Sequence, residues 1–255
     1  MLKMKPWLWV VLAVFTYLFF LVAYLPATHV IAYVQSNNPK LPIAIGKAQG
    51  TLWSGSIDKV IAHGIAVNSL NWDLSALSLL IGRASVDVNG GNIRASEQAY
   101  VKGKISVSLF NTKNISAKNL QLFLPARSVI AQVPLPVPVA ADGRFRVDIE
   151  TFEFNNACVS LDGKGSWLKG TMSGPSGIIE FGNFDANLGC EEDKFAIQIQ
   201  AQNELNLDAK VLLSVDGKYK INGRFKPSDN MPREVQQAAN FFGAPDQQGF
   251  RQINL

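Results

Sequence analysis

Few residues in this 255-residue chain carry the chemistry that catalysis needs. The two histidines, His29 and His63, belong neither to an HExxH zinc helix nor to a recognisable Ser-His-Asp set, and GxSxG and GxxxxGK[ST] are absent. His29 sits at the end of a long apolar run, where an interfacial role suits it; His63, in "IAHG", reads as a strand-end or turn residue. Glu191, Glu192 and Asp193 run consecutively after Cys190. General acid–base work needs carboxylates held across a cleft, whereas adjacent ones on a turn read as solvated surface. No stretch has the oxygen-ligand spacing of a calcium loop. The expectation is a protein without enzymatic activity, cofactor or metal, since an envelope hydrolase would need residues that are missing.

The strongest organising signal is the segment "PWLWVVLAVFTYLFFLVAYLPAT", residues 6–28, which has no charged residue and no histidine. About 20 apolar residues match the thickness of a bilayer's hydrocarbon core. Trp7 and Trp9 lie near one end and Tyr24 near the other, as membrane-interface aromatics do, and Lys3 and Lys5 before the run place the N-terminus in the cytoplasm. A cleaved signal peptide would have a shorter apolar stretch and a better small-residue site than "AYLPA". The net charge is +4, of which Lys3 and Lys5 supply two, leaving +2 on the remainder. With no dense basic stripe interleaved with aromatics, no nucleic-acid partner is expected.

Cys158 and Cys190 both fall in the exported part, where thiols are oxidised. A metal or reactive-thiol site would need helper ligands at short spacing, and Cys-x31-Cys with no histidine beyond His63 offers none, so a structural disulfide is expected.

From Leu41 to about Pro227 period-two alternation dominates: Leu70, Trp72, Leu74; Ile105, Val107, Leu109; Phe145, Val147, Ile149; Phe195, Ile197, Ile199; Leu205 through Val215; Tyr219 and Ile221. "NGG" at 89–91, "DGR" at 142–144 and "DGK" at 162–164 and 216–218 read as hairpin turns. "SALSLLIG" reads as a turn of helix or the end of a strand, "PARSVIAQ" allows a turn of helix, and "VPLPVPV" must be an extended link, since proline cannot donate to a ladder. "DNMPREVQQAANFFGAP" reads as an amphipathic helix of three turns stopped at Gly243, followed by a last strand.

The expected fold class is therefore mainly β: an elongated antiparallel meander with one N-terminal transmembrane helix and a short C-terminal amphipathic helix. The expected organisation is a cytoplasmic tail (1–5), a transmembrane anchor (6–28), a linker (29–40) and a periplasmic β-rich domain (41–255) compatible with two loosely similar halves, 41–130 and 140–255. Three tryptophans, Trp53 in "QGTLWSGS", Trp72 and Trp167, stand beside glycines and serines as candidate core or partner anchors. Gly50 and Gly55 with Leu52 favour Trp53 as a plug at the open end of a sheet; presentation to a partner is the other reading.

"AQGTLWSGS", then "LNWDLSALSLLIG", "CVSLDGKGSW", "LGC" and "GKYKINGRFKP" before a short helix, resemble, in that order, protein N of bacterial type II secretion systems. The resemblance implies a non-enzymatic, single-pass inner-membrane accessory component, whose periplasmic body acts as scaffold or assembly factor with other secretion subunits as partners. The start "LWSG … LNWDL" also resembles AsmA-like envelope proteins, which implies instead that the alternating face from Phe195 to Phe225 is a trough that binds or transfers lipid.

Overall fold

Proline decides where the apolar N-terminal run breaks. The computed structural model describes residues 6–37, 42–132, 140–174 and 177–255. In it α1 (Pro6–Ala23) stops short of Pro26, and α2 (Ala27–Asn37) begins after it. Pro26 lacks the N–H a continuing helix would use; its backbone instead forms an isolated bridge with Thr51. Residues 6–28 are thus not one helix, and most of the stretch expected as linker is helical. Among the described residues no helix is long and apolar enough to cross a membrane.

The rest is one antiparallel sheet. Its strands are β1 (Ile43–Ile45), β2 (Ala48–Gly50), β3 (Ser54–Ala62), β4 (Ile65–Leu74), β5 (Arg83–Gly91), β6 (Tyr100–Ser108), β7 (Asn114–Pro125), β8 (Ala141–Asn155), β9 (Cys158–Gly174), β10 (Gly177–Glu191), β11 (Lys194–Ile199), β12 (Asp208–Leu213), β13 (Tyr219–Phe225) and β14 (Arg251–Asn254). β1 and β2 lie end to end along β3, and from β3 each strand pairs with the next through β14. β7 and β8 pair from Asn114↔Asn155 to Pro125↔Arg144, so the sheet runs unbroken past the "VPLPVPV" stretch, which lies outside the described residues. Among the described residues the ladder does not close, and β1/β2 and β14 are its free edges.

Period-two alternation sorts the side chains onto two faces. The registers join one apolar row across the sheet: Leu122 faces Val147, then Gly165, Ala186, Ile199, Ala209, Gly223 and Ile253. A parallel row runs Leu120, Ile149, Gly163, Leu188, Ile197, Val211 and Ile221. Little covers this face. α2 packs over Ile57, Leu70, Trp72 and Leu74, and α5 (Arg233–Ala239) caps the far part through Val235, against Ile179, Phe181 and Met231. α5 has two turns and a following 3-10 turn (Asn240–Phe242), shorter than the expected three-turn helix, and Gly243 at φ 89° ends it. The accessible surface is 16916 Å². A compact chain of this mass would expose about 11,000 Å²; the excess comes from the exposed α1 together with a sheet whose apolar face has no full second layer over it.

Three of the four Asn/Asp-Gly stretches do not turn the chain. Asn89–Gly91 ends β5, Asp142–Arg144 forms a bulge in β8, and Asp162–Lys164 lies inside β9; only Asp216–Lys218 makes a hairpin, with Gly217 at φ 84°. The reason is crowding across neighbouring strands. Gly90 faces Leu70 and Val67, and Gly163 sits between Ile149 and Leu188, where a side chain would collide with backbone. The two-residue turns use other residues: His63-Gly64 between β3 and β4, and Glu192-Asp193 between β10 and β11, all at positive φ.

Cys158 and Cys190 form a disulfide, tying the start of β9 to the end of β10. Beside it the Cys158 N–H donates to the Asp193 carbonyl. Loop-closure entropy for a separation of 32 residues gives roughly 3 to 4 kcal/mol. Replacing both cysteines by serine is therefore expected to lower unfolding stability by about that amount, read from denaturant midpoints of the full-length protein at unchanged slope.

Candidate functional site

The residues that could have done chemistry lie apart. His29 is exposed on α2, and His63 occupies the β3–β4 turn. Glu192 and Asp193 form the β10–β11 turn, where Lys194 approaches Glu192 at 3.4 Å, and Lys210 pairs with Glu191 at 2.7 Å. Among the described residues no group of His, Cys, Asp and Glu is placed to hold a metal ion. Two other arrangements stand out, a clasp and a trough.

The clasp is built by Trp53 and Trp72. The loop Thr51–Trp53 is held through its backbone: Thr51 N–H donates to Ser54 O at 2.9 Å, Leu52 N–H to Leu25 O at 2.8 Å, and Leu74 N–H to Trp53 O at 2.6 Å. Trp72 Nε1 donates to Leu52 O at 3.2 Å, its ring lying over Gly55, where a Cβ would clash. Trp53 Nε1 donates to Val22 O at 3.0 Å. Val22 is in the last turn of α1, and its carbonyl also accepts from Leu25 N–H at 3.3 Å. Trp53 thus spans 31 residues to hold the end of the apolar helix against the start of the sheet.

The trough follows from small residues in the apolar rows. In β9, Gly163 and Gly165 occupy inward positions, and Ala186 faces Gly165 from β10. The small side chains at Gly165 and Ala186 leave a cavity of about 520 Å³, walled by Phe145, Trp167, Phe184, Leu188 and Ile197, with Val129 and Leu205 also on its lining. α4 (Ala126–Ile130) brings Val129 there. Trp167 is the main wall. Its ring centroid lies 6.0 Å from Phe145, 5.5 Å from Phe184 and 6.5 Å from Phe181, and Nε1 donates to Asp142 O at 3.0 Å. Register shifts around Gly182 turn both Phe181 and Phe184 toward it. A smaller apolar space of about 290 Å³ lies under α2, between Val30, Ile31, Leu52 and Trp72.

One charged side chain reaches across the seam between β7 and β8. Arg144 donates to Ile93 O at 2.7 Å and Gln98 O at 3.4 Å, and its guanidinium lies 4.8 Å from the Phe123 ring centroid. Burial pulls its pKa below the ordinary arginine value, and Nε has no partner. It stays cationic and pins the β5–β6 loop. Sequence reasoning missed this arginine; of the Phe195–Phe225 face that the AsmA-like resemblance makes a trough, Ile197, Ile199, Leu205 and Leu207 line the cavity, and the rest of the lining comes from residues before it. The signal present in the sequence was Gly165 two residues before Trp167, both on one face of β9.

A family model described as type II secretion system (T2SS), protein N, matches residues 42–254. The chain belongs to this family. The match begins one residue before β1 and ends at the last residue of β14, so it spans the sheet, and α1 and α2 lie outside it. Curated relatives named type II secretion system protein N include those of Vibrio cholerae (29% identical, covering 79% of each chain), Aeromonas hydrophila (26%, covering 91% of this chain and 90% of the relative) and Klebsiella pneumoniae (24%, covering 91% and 88%). No solved structure matches the chain.

Two pairs of substitutions test the geometry of this sheet. A Cβ at Gly165 would meet Leu188 at ordinary contact distance, 3.6 Å, whereas one at Gly163 would lie 2.8 Å from the Asp148 carbonyl oxygen. Gly165→Ala should keep or raise the melting temperature, while Gly163→Ala lowers it. Trp53→Phe, which keeps a ring but loses the bond to Val22, should cost about 1 kcal/mol, and Trp53→Ala roughly 3 kcal/mol. Hydrogen exchange at Leu52 and Leu74 should quicken in the same order.

Proposed function

We propose that this protein is a non-enzymatic accessory component of a type II secretion system, held at the inner membrane by α1, with the sheet in the periplasm as a scaffold or assembly factor. The observation that carries the reading is the family match over the whole sheet. α1 supports the placement. Its described side chains carry no charge, are apolar apart from Thr16 and the Tyr17 hydroxyl, and are exposed around the helix, a pattern that suits lipid and not a surface helix. Its 18 residues rise about 27 Å, and Tyr24 and Leu25 carry the apolar chain toward the roughly 30 Å of a hydrocarbon core. Lys3 and Lys5 put the N-terminus on the cytoplasmic side. The free sheet edges β1/β2 and β14 offer unpaired backbone groups to which a partner subunit can add a strand.

The open trough beside Trp167 favours a second reading, a lipid-binding groove. The two separate cleanly. Site-specific photocrosslinkers at Gln252 on β14 and Ala44 on β1 in secreting cells should trap other secretion subunits. Native mass spectrometry of the purified protein should then show no bound phospholipid. Stoichiometric lipid with no secretion partner would defeat the scaffold and support the groove.

A further inference from the structure

α3 (Ala76–Leu80) is amphipathic in the reverse sense. Its polar side faces the sheet. Ser75 caps it by accepting from Ser78 N–H, Ser78 Oγ donates to Ser75 O at 2.7 Å and accepts from Ser85 N–H at 3.2 Å, and Ser75 N–H donates to Ser85 O at 2.9 Å. Its apolar side points out: Leu77 and Ile81 are exposed, and Leu80 is 83% exposed. The neighbouring β6–β7 tip adds Leu109 and Phe110, the latter 90% exposed. The two are joined, since Leu109 N–H donates to Gly82 O at 2.9 Å and the Phe110 ring lies against Gly82, where a Cβ would collide with it.

The position of this patch identifies what covers it. α3 begins two residues after Leu74, whose N–H donates to Trp53 O, and the Trp53 indole holds the end of α1. The patch therefore sits at the end of the sheet from which the apolar helix departs. Residues 74–86 and 107–117 contain no acidic residue, and Arg83 and Lys113 lie among them, while Asp73 and Asp87 lie farther along the sheet beside Lys104 and Lys118. An apolar tip with a basic rim matches the interface of an anionic bilayer.

We propose that Leu77, Leu80, Ile81, Leu109 and Phe110 form a second membrane contact, entering the headgroup–acyl boundary of the bilayer that α1 crosses. The inference rests on α1 being the anchor. Two contacts fix the tilt of the sheet, where a single helix followed by a hinge would leave the body free to swing.

The test uses full-length protein, disulfide intact, in vesicles of phosphatidylethanolamine and phosphatidylglycerol. Nitroxide labels go at Leu80→Cys and Phe110→Cys, at Val14→Cys within α1, and at Glu97→Cys on the β5–β6 loop at the opposite end. Power saturation then compares access to oxygen, which concentrates in lipid, with access to a water-soluble nickel chelate. The expected result is a shift toward oxygen at Leu80 and Phe110, as at Val14 and unlike Glu97. Lipid-like access at Val14 with water-like access at Leu80 and Phe110 would overturn the second contact and leave the anchor standing. Water-like access at Val14 would overturn both. Shielding of Leu80 and Phe110 from both reagents would mean a protein partner, and would also defeat the proposal.

Discussion

A single backbone ladder holds this molecule together. Apart from the edges, every strand gives and receives hydrogen bonds on both sides, while no large side chain among the described residues is fully buried. In most domains a sheet of this kind would press its apolar face on a second layer. Here α2 and α5 cover its ends, and the middle is left to rows of half-buried Val, Ile and Leu with glycines between them. Register, bulges and the disulfide therefore carry the specificity that a packed core supplies elsewhere. A one-residue slip in β9 would turn Gly163, Gly165 and Trp167 outward together.

The same economy of layers explains why the tryptophans matter. Each of the three donates its indole N–H to a backbone carbonyl, and two lie over a glycine. They work as struts where strands would otherwise part from helix or loop. Trp53 joins the N-terminal helix to the sheet, Trp72 steadies the loop that carries Trp53, and Trp167 props the wall of the trough. On the reading proposed above, the first of these struts couples the anchor to the body, which makes orientation at the membrane a property of the fold.

Much of the sheet was legible because alternation is a local signal. Leu70-Trp72-Leu74, Phe145-Val147-Ile149 and Phe195-Ile197-Ile199 fall on strands and share a face. The helical turn at 126–130 and the last strand also lie where the residues put them, and 76–80, readable as a turn of helix or the end of a strand, is a helical turn. The failures share a cause, which is that they depend on neighbours far away in sequence. Asp-Gly at 162–163 reads as a turn until Ile149 and Leu188 are known to flank it. Trp53 was weighed as a plug or a presented ring, and its partner turned out to be a carbonyl in the preceding helix. The break at Pro26 was visible in the residue itself, and the uniform hydrophobicity around it concealed it.

The openness of the apolar face is best tested by carbene footprinting of the delipidated full-length protein in amphipol, resolved by residue. An uncovered face requires labelling of Val147, Leu188 and Ile197 well above that of Ile179 and Phe181, which are buried beneath α5. Protection of all five to the same degree would show that the rows are packed inside a closed core, and would contradict the account of an open sheet.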